Sequence, residues 1–123
     1  MQEEQIRKTT ESSLRIIEEI KLAREQQLRP YVYVHFHWDN NLSKFFSILR
    51  NLGGGIATEI EYSYPFGQET IKYRYQVLAP GEEVIDNTPF SSEHINQQDP
   101  IKITITYKDT FGNIILRFET AHF

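Results

Sequence analysis

The sequence predicts a mainly β fold, an immunoglobulin-like antiparallel β-sandwich preceded by one long N-terminal α-helix, on three observations. Residues from about Gln2 to Leu28 contain no Gly or Pro and are rich in Glu, Gln, Lys, Arg and Leu, the residues that lose least on entering a helix. From Tyr31 onward, apolar and polar residues alternate with period two in several short runs, as strands with one buried face do. Turn residues recur about every eight to twelve positions between those runs, the spacing of small sandwiches.

The helix carries a thin stripe at three- and four-residue spacing: Ile6, Ser13, Ile17, Ile20 and Ala23 or Arg24, with Leu14, Ile16 and Leu28 beside it. So narrow a stripe is marginal in isolation, so this segment is expected to dock or oligomerise through Ile6, Leu14, Ile17 and Ile20. Its target is its own sandwich, a second copy or another protein. Arg29-Pro30 ends it, because proline disfavours the α conformation at the residue before it. The expected division is therefore a polar, weakly amphipathic helix over 1–29 and a sandwich over 30–123.

Within the sandwich, Val32, Val34, Phe36 and Trp38 share one face of the first strand, and Tyr31, Tyr33, His35 and His37 the other. The aliphatic and indole face is expected in the core. Phe45 to Leu49 form a second apolar run after the turn Asp39-Asn40-Asn41. Next come Asn51-Leu52-Gly53-Gly54-Gly55, read as a turn that folds two strands against each other, and the strand Ile56 to Tyr64. Pro65-Phe66-Gly67 turns into Ile71 to Leu78, and Ala79-Pro80-Gly81-Glu82 is a tight reversal. A long polar connection is expected from Asn87 to Pro100. Ile101, Ile103, Ile105 and Tyr107 against Lys102, Thr104, Thr106 and Lys108 is the cleanest alternation in the chain. The last strand is Ile114 to Thr120, after the turn Asp109-Thr110-Phe111-Gly112-Asn113.

Composition narrows the function classes. The chain has 123 residues and no cysteine, so one domain with a modest core is expected, and disulfides, thiolate nucleophiles and Cys-type zinc sites are excluded. Six basic and six acidic residues precede Pro30; the remaining seven basic and eleven acidic residues put the formal charge of -4 on the second part. An acidic domain repels a phosphate backbone, so no nucleic-acid partner is expected. No apolar run reaches the ~20 residues of a membrane span, and Met1-Gln2-Glu3-Glu4-Gln5 lacks the character of a signal peptide. The expected location is cytoplasmic, with no direct membrane span.

The order Leu28-Arg29-Pro30-Tyr31-Val32, Asn51-Leu52-Gly53-Gly54-Gly55-Ile56-Ala57, Leu78-Ala79-Pro80-Gly81-Glu82 and Ile105-Thr106-Tyr107-Lys108-Asp109 with Phe111-Gly112-Asn113 resembles a group of mostly uncharacterised bacterial and phage proteins. In these a polar helix leads into an immunoglobulin-like sandwich. The resemblance spans about Glu11 to Glu119 and implies a fold and an accessory role, with no catalytic residues to carry over. Many members place a transmembrane helix before the polar helix, and this sequence shows none.

Three constellations invite chemistry. His35, His37 and Asp39 alternate on one strand, a spacing that metals use; the H-x-H-x-D-H motif of metallo-hydrolases would follow, but its closing His is Asn40, and His94 and His122 are distant. A polar strand face is the simpler account, with no metal and no cofactor. Gly53-Gly54-Gly55 precedes a β-rich run where a phosphate loop would precede a helix. Glu59 and Glu61 alternate with Ile60, which fits a solvated sheet face better than the paired carboxylates of a glycosidase cleft. Asn41-Leu42-Ser43 fits a glycosylation sequon, which matters only in a secreted protein.

Tyr31, Tyr33, Tyr62, Tyr64, Tyr73 and Tyr75 belong to an aromatic content of 13%. Tyrosine contributes large contact area with few rotatable bonds, so a tyrosine-lined face is the candidate partner-binding surface. The expected function is a non-catalytic protein-protein interaction module, phage- or mobile-element-encoded and modulating a host or defence protein. The alternatives are a small metal-dependent enzyme using His35, His37 and Asp39, and an envelope-associated accessory domain.

Overall fold

A computed structural model describes residues 13–21, 23–24, 27–94 and 100–122. Seven strands follow the helical segment: β1 (Val32–Asp39), β2 (Lys44–Asn51), β3 (Ala57–Phe66), β4 (Glu69–Leu78), β5 (Glu83–Ser91), β6 (Ile101–Lys108) and β7 (Ile114–Ala121). They form two antiparallel sheets, a three-stranded one ordered β1-β2-β5 and a four-stranded one ordered β4-β3-β6-β7. Three hairpins, β1-β2, β3-β4 and β6-β7, stay within a sheet; the other connections cross between sheets. The result is a β-sandwich.

Local chemistry accounts for the hairpins. In the β1-β2 turn, Asp39 Oδ1 accepts the backbone N–H groups of Asn41 and Leu42 at 2.8 and 3.1 Å, the Asx geometry that favours Asp at a turn start. The β6-β7 turn is built on Asp109, whose Oδ1 accepts from Phe111 and Asn113 N–H at 2.9 and 2.8 Å. Its Oδ2 accepts from Asn113 Nδ2 at 3.0 Å. Burial alone would raise this carboxyl's pKa, but the hydrogen bonds outweigh it and hold it below the usual carboxylate range.

The core lies between the sheets. Val32, Val34, Phe45, Leu49 and Phe90 from the three-stranded sheet meet Ile60, Tyr62, Tyr64, Leu78, Ile101, Ile103, Ile105 and Tyr107 from the other. Phe36 and Trp38 pack against this cluster, Phe36 edge-on to Tyr64 at 5.2 Å. The faces expected for β1 and β6 are therefore the observed ones.

Three expectations need correction. Gly53-Gly54-Gly55 does not join a hairpin, since β2 and β3 lie in different sheets. None of these glycines has positive φ. Their requirement is space: a Cβ on Gly53, Gly54 or Gly55 would sit 2.3 Å from Arg29 O, 2.2 Å from Gln27 O and 1.4 Å from Leu28 O. The glycines let the crossover lie directly on the backbone leading into β1.

Secondly, the supposed connection from Asn87 is the second half of β5. Pro89 obscured the alternation of Val84, Asp86, Thr88 and Phe90, and it is tolerated because β5 is an edge strand. The third concerns the helix. The described residues are helical at 13–21, 23, 24 and 27, so a helix over all of 1–29 is not what the described residues give. Ile6 lies outside them. No helix among them is long and apolar enough to cross a membrane.

Candidate interaction surfaces

The tyrosines divide by register. β3 turns Tyr62 and Tyr64 into the core, where they are completely buried, so the expectation that they line a partner-binding face is corrected. Their neighbours on β4, Tyr73 and Tyr75, are half-buried, and Tyr73 stacks on Tyr62 at 4.6 Å between centroids. The hydroxyls close the sandwich against β5. Ser47 lies 2.8 Å from the Tyr62 hydroxyl, which donates to Asp86 Oδ2 at 2.5 Å, while Tyr75 donates to Asp86 Oδ1. Tyr64 donates to Tyr73 at 2.8 Å, and Tyr73 to the carbonyl of Asn87 at 2.6 Å. These four rings form an internal polar seam.

That seam has a pH signature. Burial first, and for Tyr62 and Tyr75 the Asp86 carboxylate after it, holds all four phenols above the ordinary tyrosine range. In the unfolded chain they ionise near pH ~10. Their contribution to stability is therefore complete below that pH and is lost as pH climbs above it. Tyr62 and Tyr64 are each expected to cost about 1.4 kcal/mol per pH unit above about 10. The urea midpoint should fall steeply between about pH 9.5 and 11, with phenolate absorbance of these rings appearing only on unfolding. A flat midpoint across that interval would contradict the seam.

Tyr31 and Tyr33 lie elsewhere. Tyr31 is exposed beneath the Arg117 guanidinium, whose carbon sits 3.9 Å from the ring centroid. Arg117, from β7, donates to the Tyr31 hydroxyl at 2.6 Å, to Glu119 Oε1 at 2.8 Å and to the Val32 carbonyl. It therefore staples the β1 and β7 edges together across the sandwich.

Tyr33 stacks on His35 at 5.3 Å on the outer face of the three-stranded sheet. His35 faces Ile48, which faces Ile85; His37 faces Phe46. Arg50 pairs with Glu83 in register at one end of this face. Burial lowers the His35 pKa, Glu83 opposes the shift, and His37 and Arg50 reinforce it. Its Nδ1 is enclosed without a hydrogen-bond partner. Asp39 is engaged by its own turn, and among the described residues no three His, Asp or Glu side chains gather in a metal-binding group.

Glu59 and Glu61 each have their own cations. Glu59, at a β-bulge with φ 49°, meets Lys108 Nζ at 2.6 Å; Glu61 meets Lys72 and Arg74 at 3.8 and 3.6 Å. They border an open depression of about 720 Å³ with Arg74, Tyr75 and Gln76, and their separate ion pairs account for them on a solvated sheet face.

Among the described residues, two exposed apolar stripes follow the periodicity of a single element. Every described residue of the helical run 13–21 is exposed, Leu14, Ile16, Ile17 and Ile20 included, so this run does not pack on its own sandwich. The second is the outer face of β7. Ile114, Leu116 and Phe118 are 73%, 57% and 54% exposed, while Arg117 and Glu119 point inward. Sequence reasoning placed the strand but missed both this stripe and Arg117. The signal available was the alternation of Ile114, Leu116 and Phe118 with Arg117 and Glu119. Its polarity is the reverse of a strand on a lone sandwich.

Together these features define a small β-sandwich with an appended, solvent-facing helix. The chain belongs to the family described as Domain of unknown function (DUF8453), whose model matches residues 4–121. No curated protein matches it.

Proposed function

We propose that this protein is a non-catalytic protein-interaction module, in which an immunoglobulin-like sandwich carries a docking helix. The observation behind this is the exposure of Leu14, Ile16, Ile17 and Ile20 on a segment whose exit is clamped by the glycine crossover. An exposed apolar stripe on a helix is what helix-in-groove recognition uses. The strand order supports the immunoglobulin-like assignment: as in that fold, the first, second and fifth strands share one sheet, and the third, sixth and seventh the other, here with the fourth beside the third. The four tyrosines with raised pKa values are engaged in holding the sheets together, so their shifts have a structural cause and require no catalytic role. In a cytoplasmic phage or mobile-element setting, the partner is a host or defence protein.

The test is Ile17→Glu. Tagged wild type is expected to retain a partner from the native cell that the variant loses at least tenfold, with both showing the same thermal midpoint because Ile17 is solvent-facing. Equal recovery would remove the helix from the interface. A change in sedimentation of the purified protein on the same substitution would instead make the helix partner a second copy.

A further inference from the structure

Among the described residues there are four sheet edges, and three carry polar residues or a proline. β4 presents Lys72, Arg74 and Gln76 on its exposed face. The outer face of β1 carries His35, His37 and Asp39, and β5 has Pro89. Charged residues and proline are the usual means of blunting an edge. β7 itself contributes neither to its outer face: Ile114, Leu116, Phe118 and Thr120 are exposed there, with Lys102 of β6 over the Phe118 ring at 4.2 Å, and among the described residues no strand pairs with its outer edge. Inward-pointing charges can themselves blunt an edge, but here they are met within the chain, Arg117 by Val32, Tyr31 and Glu119, so they do not oppose a neighbouring strand.

We infer that β7 pairs antiparallel with β7 of a second copy, so that two four-stranded sheets become one continuous eight-stranded sheet. The strand is complementary to itself in one register. With a two-fold axis through Leu116, Ile114 lies opposite Phe118 of the copy, Leu116 opposite Leu116, and Arg117 opposite Ile115. All three exposed apolar residues gain apolar partners, and no like charges meet directly. A shift that centres the pair on Arg117 brings two guanidinium groups together, which is destabilising. A shift the other way, centred on Ile115, places Phe118 opposite Gly112. A one-residue slip sets the apolar face of one strand beside the polar face of the other. A heterologous partner would not require this self-complementarity, and a two-fold dimer does. The surface is one strand wide, at the low end of interface sizes, so the dimer is expected to be weak and concentration-dependent. The inference goes beyond the helix reading and does not depend on it.

The chain has no cysteine, so cross-linking reports the register directly. Opposed residues in an antiparallel pair lie within disulfide range, so Leu116→Cys is expected to give a covalent dimer under mild oxidation. Thr120→Cys, on the same strand and face, is expected to give at least tenfold less, because two Thr120 positions lie about 26 Å apart in this register. Unmodified protein should sediment as a dimer at high concentration and Leu116→Lys as a monomer with an unchanged thermal midpoint, since Leu116 is exposed. Ile17→Glu should leave the cross-link intact. A wild-type monomer, or equal cross-linking at both positions, overturns the inference, as does recovery through this edge of a different protein only. A dimer that Ile17→Glu dissolves while Leu116→Cys stays uncoupled also overturns it, and leaves the helix proposal standing.

Discussion

Gly55→Ala is expected to destabilise the protein by about 3 kcal/mol, at the upper end of overpacking changes. The added Cβ would fall 1.4 Å from Leu28 O and 2.3 Å from Leu28 C. Both are backbone atoms, so no side chain can turn away to make room. Either the crossover or the 27–31 backbone must move, which breaks the bonds from Gly55 N to Arg29 O at 3.3 Å and from Leu52 N to Tyr31 O at 2.8 Å. Displacing that backbone also frees the helix from its fixed exit, so proteolysis near residue 28 should accelerate alongside the drop in urea midpoint. Gly67→Ala is the control: its Cβ meets nothing within 4 Å, and only its φ of 63° is unfavourable, for about 1 kcal/mol. If the two variants prove equally stable, the crossover does not lie against the linker.

Asn51→Ala should cost on the order of 4 kcal/mol, since one buried side chain serves four backbone groups. Its Oδ1 accepts from Tyr31 and Gly53 N–H at 3.1 and 3.0 Å, and its Nδ2 donates to the Gly55 and Leu78 carbonyls at 2.8 and 3.0 Å. Its backbone adds Gly81 N–H to its own carbonyl at 2.8 Å and its N–H to Glu82 O at 3.2 Å. Asn51 thus joins the entry to β1 to the crossovers β2-β3 and β4-β5, none of which has a sheet ladder to satisfy it. Asn51→Asp separates these bonds from simple volume. It keeps the acceptor but turns a second oxygen toward two carbonyls, so at neutral pH it should be as damaging as alanine. Stability should recover partly as acid restores a proton donor. A neutral-pH Asn51→Asp protein as stable as wild type in urea would refute the Nδ2 assignments.

These two positions also show how far the sequence was legible. Asn51 and the glycines mark a break between strands in the sequence itself. The sequence does not reveal the physical reason for that break, because turn chemistry and close backbone approach use the same residues. A glycine chosen for positive φ and one chosen for absent Cβ are identical on paper; Gly67, at φ 63°, and Gly55, against Leu28, are distinguished only by what lies nearby. β6 was fully legible, as Ile101, Ile103, Ile105 and Tyr107 are all buried. β5 was not, because Pro89 is a breaker in a central strand and is permitted at an edge, and edges are a property of sheet order.

The candidate surfaces divide in the same way. The exposed apolar helix positions Leu14, Ile17 and Ile20 were read from their spacing, and the six tyrosines from their number. Whether a tyrosine faces a partner or the interior depends on which sheet lies opposite it, and β3 sends Tyr62 and Tyr64 inward to Asp86 and Tyr73 on other strands. What the sequence determined by itself was local: helix-forming composition ahead of Pro30, period-two strands, and Asp39 and Asp109 as turn builders, since each depends on neighbours within a few residues. The pairing of β3 with β6, the use of Asn51 as a hub, the inward turn of Arg117 and the bare edge of β7 were decided by tertiary structure. Each joins residues far apart in the chain, and burial and edge position exist only once two sheets have closed on one another.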